Sequence, residues 1–216
     1  MRRALAAILC ACAIASVAAC GGSPDEAVTT APPAPAPTTP GGDLAARLPP
    51  EDAVGGLRAG MVRRLPTAQA FVDALYQIGD PVRDAARERL QEGGYADGLL
   101  RDQAGEDPET GVALVRSYVI RMRDDEAARQ EVAAAAAEVE GSATGRAEEV
   151  EVPDVDDARA LRVTVSQGGV DGSVIFVTFA DGAYVEGIQA VARSGADLQE
   201  EEVIRAAQDL AARTGS

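Results

Sequence analysis

The three cysteines of this 216-residue chain stand at positions 10, 12 and 20. No intramolecular disulfide can form among the residues beyond Cys20, so whatever folds there must stand on a hydrophobic core alone. At roughly 150 residues per domain, the length allows one domain plus extras. The chain contains no His, no Trp and no Lys, and all 20 of its basic residues are Arg. The usual catalytic imidazole, the Schiff-base amine and most nitrogen metal ligands are therefore missing. Against 35 acids these arginines leave a net charge of -15, which argues strongly against a nucleic-acid binder that works by neutralising phosphates.

Met1, Arg2 and Arg3 form a short basic stretch, and Ala4 to Ala19 is an uncharged, mostly apolar run that ends in small residues. The run falls short of the roughly 20 residues that cross a bilayer as a helix. It is followed by Gly21-Gly22-Ser23-Pro24 rather than a basic stop-transfer flank. Residues 1–19 thus read as a secretory signal peptide. Its end, Val17-Ala18-Ala19-Cys20, resembles the lipobox of bacterial lipoproteins. The resemblance implies cleavage before Cys20, a diacylglyceryl thioether on that cysteine, and often a third acyl chain such as palmitate on the new amino terminus. Two or three acyl chains anchor stably where one does so only marginally, so Cys20 is the expected lipidation site and the cell membrane the expected partner. The plainer alternative is a secreted protein with an A-x-A-like cleavage site and a free cysteine. Removal of residues 1–19 takes away two arginines and no acid, which makes the exported part more acidic still.

From Cys20 to Gly42 the composition turns to Pro, Ala, Thr and Gly, centred on Ala31-Pro32-Pro33-Ala34-Pro35-Ala36-Pro37. With no periodic apolar face, this segment reads as a disordered, semi-rigid linker. At about 3.1 Å per residue in polyproline II it could hold a domain up to roughly 60 Å above a membrane. A PxxP ligand for a cytoplasmic module conflicts with export. Residues 43–216 form the expected single domain.

Within it, Asp43 to Arg64 reads as a loose lead-in with one short helical piece, broken by Pro49-Pro50 and Gly55-Gly56. Thr67 stands at a helix N-cap before Phe71, Ala74, Leu75 and Ile78, with Gly79 as the stop. Asp80-Pro81 opens a second helix, with Val82, Ala86 and Leu90 on one face and Gly93-Gly94 at its end. Tyr95–Arg101 and Val112–Arg123 are expected strands on either side of a polar loop, 102–111. In the second strand Leu114, Tyr118, Ile120 and Met122 point one way, Val115 and Val119 the other. Asp124-Asp125-Glu126 opens a helix that carries Ala128, Val132, Ala135 and Val139 towards a stop at Gly141. A meander follows, with strands around Leu161–Val165, Ser173–Phe179 and Tyr184–Val191, the last two joined at Asp181-Gly182. A final helix is expected from Asp197, with Glu200 completing a capping box and Val203, Ala207 and Leu210 buried.

The order ααββαβββα predicts an α+β fold, a mainly antiparallel sheet packed against helices. The layout of lipobox, Pro/Thr linker and one small domain resembles uncharacterised lipoproteins of high-GC Gram-positive bacteria, and the absence of Lys beside abundant Ala and Arg suits such a genome. The likeness is one of layout and implies no binding or catalytic residue in the domain.

Candidates for chemistry are few. Asp154, Asp156 and Asp157 could collect Ca²⁺ on a loop, as could Asp102, Glu106, Asp107 and Glu109; the EF-hand spacing is missing, and solvated loops are the plainer reading. Glu200 to Glu202 suit the first turn of a helix. Glu186 and Glu151 are a candidate acid/base pair, provided that folding brings them together. Ser166, Thr164 and Ser173 lack a His or Lys to activate them. Gly93-Gly94 and Gly168-Gly169 are turn glycines without the surroundings of a phosphate loop. Tyr95, Tyr118 and Tyr184 fit half-buried sheet positions. Arg116, Arg121 and Arg162 could bind an acidic group if they shared a face, with pairing to carboxylates as the alternative. Neither a cofactor nor a bound metal is implied. The expectation is a non-enzymatic, membrane-anchored module outside the cell that binds an envelope partner. The alternative is a carrier or sensor of a lipid or small apolar ligand, with a carboxylate-dependent hydrolase as a third reading.

Overall fold

The structure, a computed structural model, describes residues 42–76, 80–107, 111–142, 146–167 and 170–215. The signal segment, Cys20 and the linker up to residue 41 lie outside the described residues, as do Ile78, Gly79, Glu109 and Gly168-Gly169. The elements in chain order are α1 (Gly42–Ala46), β1 (Met61–Arg64), α2 (Ala68–Leu75), α3 (Asp80–Glu92), β2 (Asp97–Ala104) and β3 (Val112–Arg121). There follow α4 (Asp125–Ser142), β4 (Ala147–Glu149), β5 (Arg159–Gln167), β6 (Val170–Asp181), β7 (Tyr184–Arg193) and α5 (Glu200–Thr214). The fold is α+β, as expected. Its strands form one seven-stranded sheet in the order β1-β2-β3-β7-β6-β5-β4, and every pairing is antiparallel.

β7 lies at the middle of the sheet, and its side chains alternate between two faces, both of which helices cover. On one face, α2, α3 and α4 pack against β2, β3 and β7 through Phe71, Val72, Leu90, Leu100, Tyr118, Ile120, Val132 and Val185. On the other, α5 lays Val203, Ala206, Ala207 and Leu210 over Val115, Ile175, Val177, Phe179, Ile188 and Ala190, and α1 adds Leu44 and Leu48 against Leu99 and Val119. The two-sided reading of the second strand holds for Tyr118, Ile120 and Met122 against Val115 and Val119. A register shift between Val112 and Leu114 brings Val112 to the same side as Val115, which strict alternation forbids.

The local signals explain several boundaries. Thr67 Oγ1 accepts from the Ala70 N–H at 3.1 Å, and Asp124 Oδ1 accepts from the Ala127 N–H at 2.9 Å, so α2 and α4 begin at their caps. Elsewhere the expectations need correction. α5 begins at Glu200, not Asp197: Asp197 Oδ1 accepts from the Gln199 N–H, and Gln199 adopts a left-handed backbone at φ 53°. That turn precludes the capping box. α4 runs through Gly141 to Ser142, because a lone glycine costs a helix only about 1 kcal/mol. β2 extends to Ala104, so Asp102 belongs to the ladder opposite Arg116 rather than to a loop. The turn after β6 is Gly182-Ala183, one residue later than expected. Asp181 and Tyr184 are the last paired residues, and Gly182 takes φ 55° at the first central position, where a positive φ favours glycine.

The lead-in is the largest correction. Beyond α1, residues 47–57 form a strap over the α5 side of β2, held by hydrogen bonds to distant elements. Arg101 Nη1 donates to the Pro49 carbonyl at 2.5 Å and Gln103 Nε2 to that of Glu51 at 2.8 Å. The Gly55 N–H donates to Glu202 Oε2 at 2.7 Å. Leu48 and Val54 are buried beneath it. β1 and β4, which sequence periodicity does not mark, close the sheet at its two edges. β1 leaves Met61 and Val62 exposed.

At the centre of the sheet the Tyr118 ring lies across Gly187, its ladder partner, and meets Phe71 edge-on at 5.4 Å between centroids. A Cβ at Gly187 would overlap the Tyr118 ring atoms Cζ, Cε1 and Oη. Gly187→Ala should therefore lower the unfolding free energy by about 1–3 kcal/mol, read as a shift of the urea midpoint. Addition of Tyr118→Leu should return part of that loss in a double-mutant cycle.

Candidate functional site

Glu186 stands in the middle of β7 with its side chain on the α5 side, opposite Val119 of β3 and Phe179 of β6 in the ladder. Strand alternation places it in an apolar layer, and its side chain is 0% exposed. The strap supplies its counter-charge. Arg47 Nη1 donates to Glu186 Oε1 at 2.8 Å and to Asp181 Oδ2 at 2.6 Å. The same guanidinium lies 3.9 Å from the centroid of the Tyr184 ring, within cation–π range. Asp181 reaches this place because the Gly182-Ala183 turn keeps it in the strand, on the face it shares with Phe179. Glu186 Oε2, also buried, has no hydrogen-bond partner. Burial pushes the Glu186 carboxyl up to about 7, against the opposing pull of Arg47.

A second buried cluster joins the helices of the other face. Arg89 of α3 forms a bidentate pair with Glu131 of α4, at 2.7 and 3.0 Å, and contacts Glu138 at 2.5 and 3.1 Å. The Tyr76 hydroxyl donates to Glu138 Oε2 at 2.9 Å. Burial pushes the Glu131 carboxyl upward while Arg89 draws it down. Every carboxylate oxygen in this cluster has a donor, so it serves as a clamp between helices.

The remaining candidates are scattered. Glu151 is exposed just after β4, three strands from Glu186, which at about 4.8 Å per strand is some 14 Å. That exceeds the spacing of a carboxylate pair for glycoside hydrolysis. Arg116 pairs with Asp102 at 3.1 Å, and Asp102 also pairs with Arg63 at 2.7 Å. Arg162 bridges Glu148 and Glu200 at 3.1 and 2.9 Å. Arg116 shares its side of the sheet with Tyr118, the exposed Arg121 ends β3 opposite Asp97, and Arg162 lies beside α5 on the other side from Arg116, so the arginines do not form one anion-binding face. Pairing with carboxylates is the outcome for Arg116 and Arg162.

Asp154, Asp156 and Asp157 are exposed, with Asp154 and Asp157 at positive φ. Among the described residues no group of three or more potential ligands is placed to hold a metal ion. Thr164 is exposed and Ser173 half-buried, while the Ser166 side chain lies outside the description. Gly93 and Gly94 close α3, with the Gly94 N–H donating to the Gln91 carbonyl at 3.0 Å. The Tyr95 hydroxyl donates to the Leu65 carbonyl at 2.6 Å. Tyr118 is fully buried rather than half-buried.

Two shallow clefts meet at Gly55 and Gly56. One, about 270 Å³, is lined by Glu51, Asp52 and Val54; the other, about 290 Å³, by Glu106, Asp107, Asp197 and Gln199. Neither touches Glu186. Sequence reasoning singled out Glu186 but missed Arg47 and Asp181, its actual neighbours. The usable signal was a charged residue within the apolar run Tyr184–Ala192.

The architecture is thus an antiparallel α+β domain covered on both faces, with one incompletely paired acid at its centre. No family model matches the sequence, and no curated protein matches it. Among solved structures, the extracellular domain of PknH from Mycobacterium tuberculosis is similar over 71% of this chain and 79% of that one, at 12% identity and a TM-score of 0.36. So loose a superposition transfers neither residue nor activity.

Because the Glu186 carboxyl titrates above its ordinary 4.5, the proton it retains adds stability that is complete below about pH 4.5 and lost as pH rises through about 7. Wild-type unfolding free energy should therefore fall between pH 5 and pH 8 by up to about 3 kcal/mol from this group. Glu186→Gln should remove that component, and guanidinium denaturation of both chains at the two pH values measures it. Equal slopes would show that the carboxyl is not raised.

Proposed function

We propose that the chain is exported, cut before Cys20 and held on the outer face of the cell membrane by diacylglycerol on that cysteine, and that its domain is a non-enzymatic module binding an envelope partner. One observation carries the reading: the apolar run after Arg2-Arg3 stops in Val17-Ala18-Ala19-Cys20. Among the described residues no helix is long and apolar enough to cross a membrane, which fits attachment through lipid.

The module reading draws support from the domain itself. The acids that could have done chemistry together, Glu186 and Glu151, lie apart, and Arg116 and Arg162 are matched with carboxylates. The carrier alternative needs an apolar pocket between the sheet and α4. There Ala128, Val132, Ala135 and Ala136 are buried, and the two clefts lie away from α4.

Mass spectrometry of the amino-terminal peptide from membranes should find Cys20 carrying at least two acyl chains. Cys20→Ala should abolish acylation and move the protein out of the membrane fraction. In-cell crosslinking should recover a recurrent envelope protein with the wild type only. An unmodified Cys20, or a chain cut elsewhere, would refute anchoring.

A further inference from the structure

The Glu186 site is an arginine seat that its present occupant fills only in part. A carboxylate facing a guanidinium fork accepts two parallel hydrogen bonds, one on each oxygen. Here Arg47 uses a single nitrogen, Nη1, for both acids, and the second oxygen of a fully buried carboxylate is left without a donor. Two acids and an aromatic face 3.9 Å from the guanidinium are the groups that recognise arginine, and the seat could accept a better-placed one.

The occupant is also lightly held. α1 is five residues long, far below the length at which a helix is stable alone. Residues 42–50 are held by Leu44 and Leu48 on Leu99, Val119 and Tyr184, by the Arg47 pairs and its contact with the Tyr184 ring, and by two hydrogen bonds to the carbonyls of Leu48 and Pro49. Residues from Glu51 onward have separate anchors in Gln103, Glu202 and Ala104. Residues 42–50 can therefore leave without carrying the rest of the strap away.

We propose that Glu186, Asp181 and Tyr184 form a recognition site for an arginine of a partner protein, kept closed by the chain's own Arg47 until a partner segment displaces α1. This deepens the partner-binding reading and rests on it. Residues 42–50 themselves specify the fit: Leu44, Arg47 and Leu48 stand at i, i+3 and i+4 across the end of α1, where the N–H groups of Arg47 and Leu48 donate to the carbonyls of Leu44 and Ala45, so the partner segment is a tight helical turn with leucine, arginine and leucine at that spacing. It must outcompete a tethered occupant whose effective concentration is of millimolar order.

The test uses the full chain in detergent and a fluorescent peptide copying residues 42–50. A Leu44→Ser, Arg47→Ser, Leu48→Ser triple variant should bind the peptide at least about tenfold more tightly than wild type does. Replacement of the peptide's arginine by alanine, or addition of Glu186→Gln to the triple variant, should each reduce binding about tenfold or more. Equal binding of both peptides, or none to a folded triple variant, would overturn the proposal. Should the triple variant fail to fold, hydrogen exchange of wild-type residues 42–50 decides the matter. Millimolar peptide should accelerate exchange there, and no change would refute displacement. An envelope partner captured equally by wild type and Glu186→Gln would leave partner binding intact while overturning this site.

Discussion

The ladder β3-β7-β6 imposes the main constraint on this domain. With no disulfide available, its stability must come from apolar burial, and the central strands carry apolar side chains on both faces, Tyr118 and Val185 on one and Val115, Ile188 and Ala190 on the other. Helices must then cover both faces, α2 to α4 on one and α5 with the strap on the other. Strand alternation sends residue 186 into the layer beneath the strap whatever its chemistry. A glutamate there needs a cation from outside the sheet, and Arg47 is brought to it by a segment more than a hundred residues earlier in the chain.

What the sequence made legible follows the range of the interactions concerned. α2, α4 and the main strands carry their instructions locally, in caps such as Thr67 and Asp124 and in the spacing of residues such as Val132 or Tyr118. The strap carries none. Its Pro, Gly and charged residues have no period, and its place is set by Arg101, Gln103 and Glu202, donors and an acceptor in distant elements. β1 and β4 were missed for a related reason, since strands of four and three residues are too short to show alternation. Asp197 misled because the same Asp side chain can cap a helix or close a local turn, and the left-handed Gln199 selects the turn. The candidate site was half legible: Glu186 is conspicuous within an apolar strand, whereas the Arg47 pairing depends on tertiary topology.

The exclusive use of arginine shapes how the acidic surplus is managed. Planar forks let single arginines bridge two acids, as Arg89 does for Glu131 and Glu138 and Arg162 for Glu148 and Glu200, whereas Arg47 meets Asp181 and Glu186 through one nitrogen. The exposed bridge at Arg162 contributes little to stability in salt. The bridge at Arg89 acts as a fixed point because removal of either partner leaves a desolvated charge behind. Arg89 closes its cluster completely and Arg47 does not, a difference in unmatched acceptors that separates a structural clamp from a site.

The position of α1 has a mechanical consequence. Tension applied through the residues before Gly42 enters the fold at that helix, and the strap crosses the sheet surface rather than lying within the hydrogen-bonded ladder. Such a load meets Leu44, Arg47 and Leu48 one after another, as in peeling, and reaches the paired strands only after all three have let go. The release of Arg47, and with it the uncovering of Glu186, thus precedes the loss of any strand.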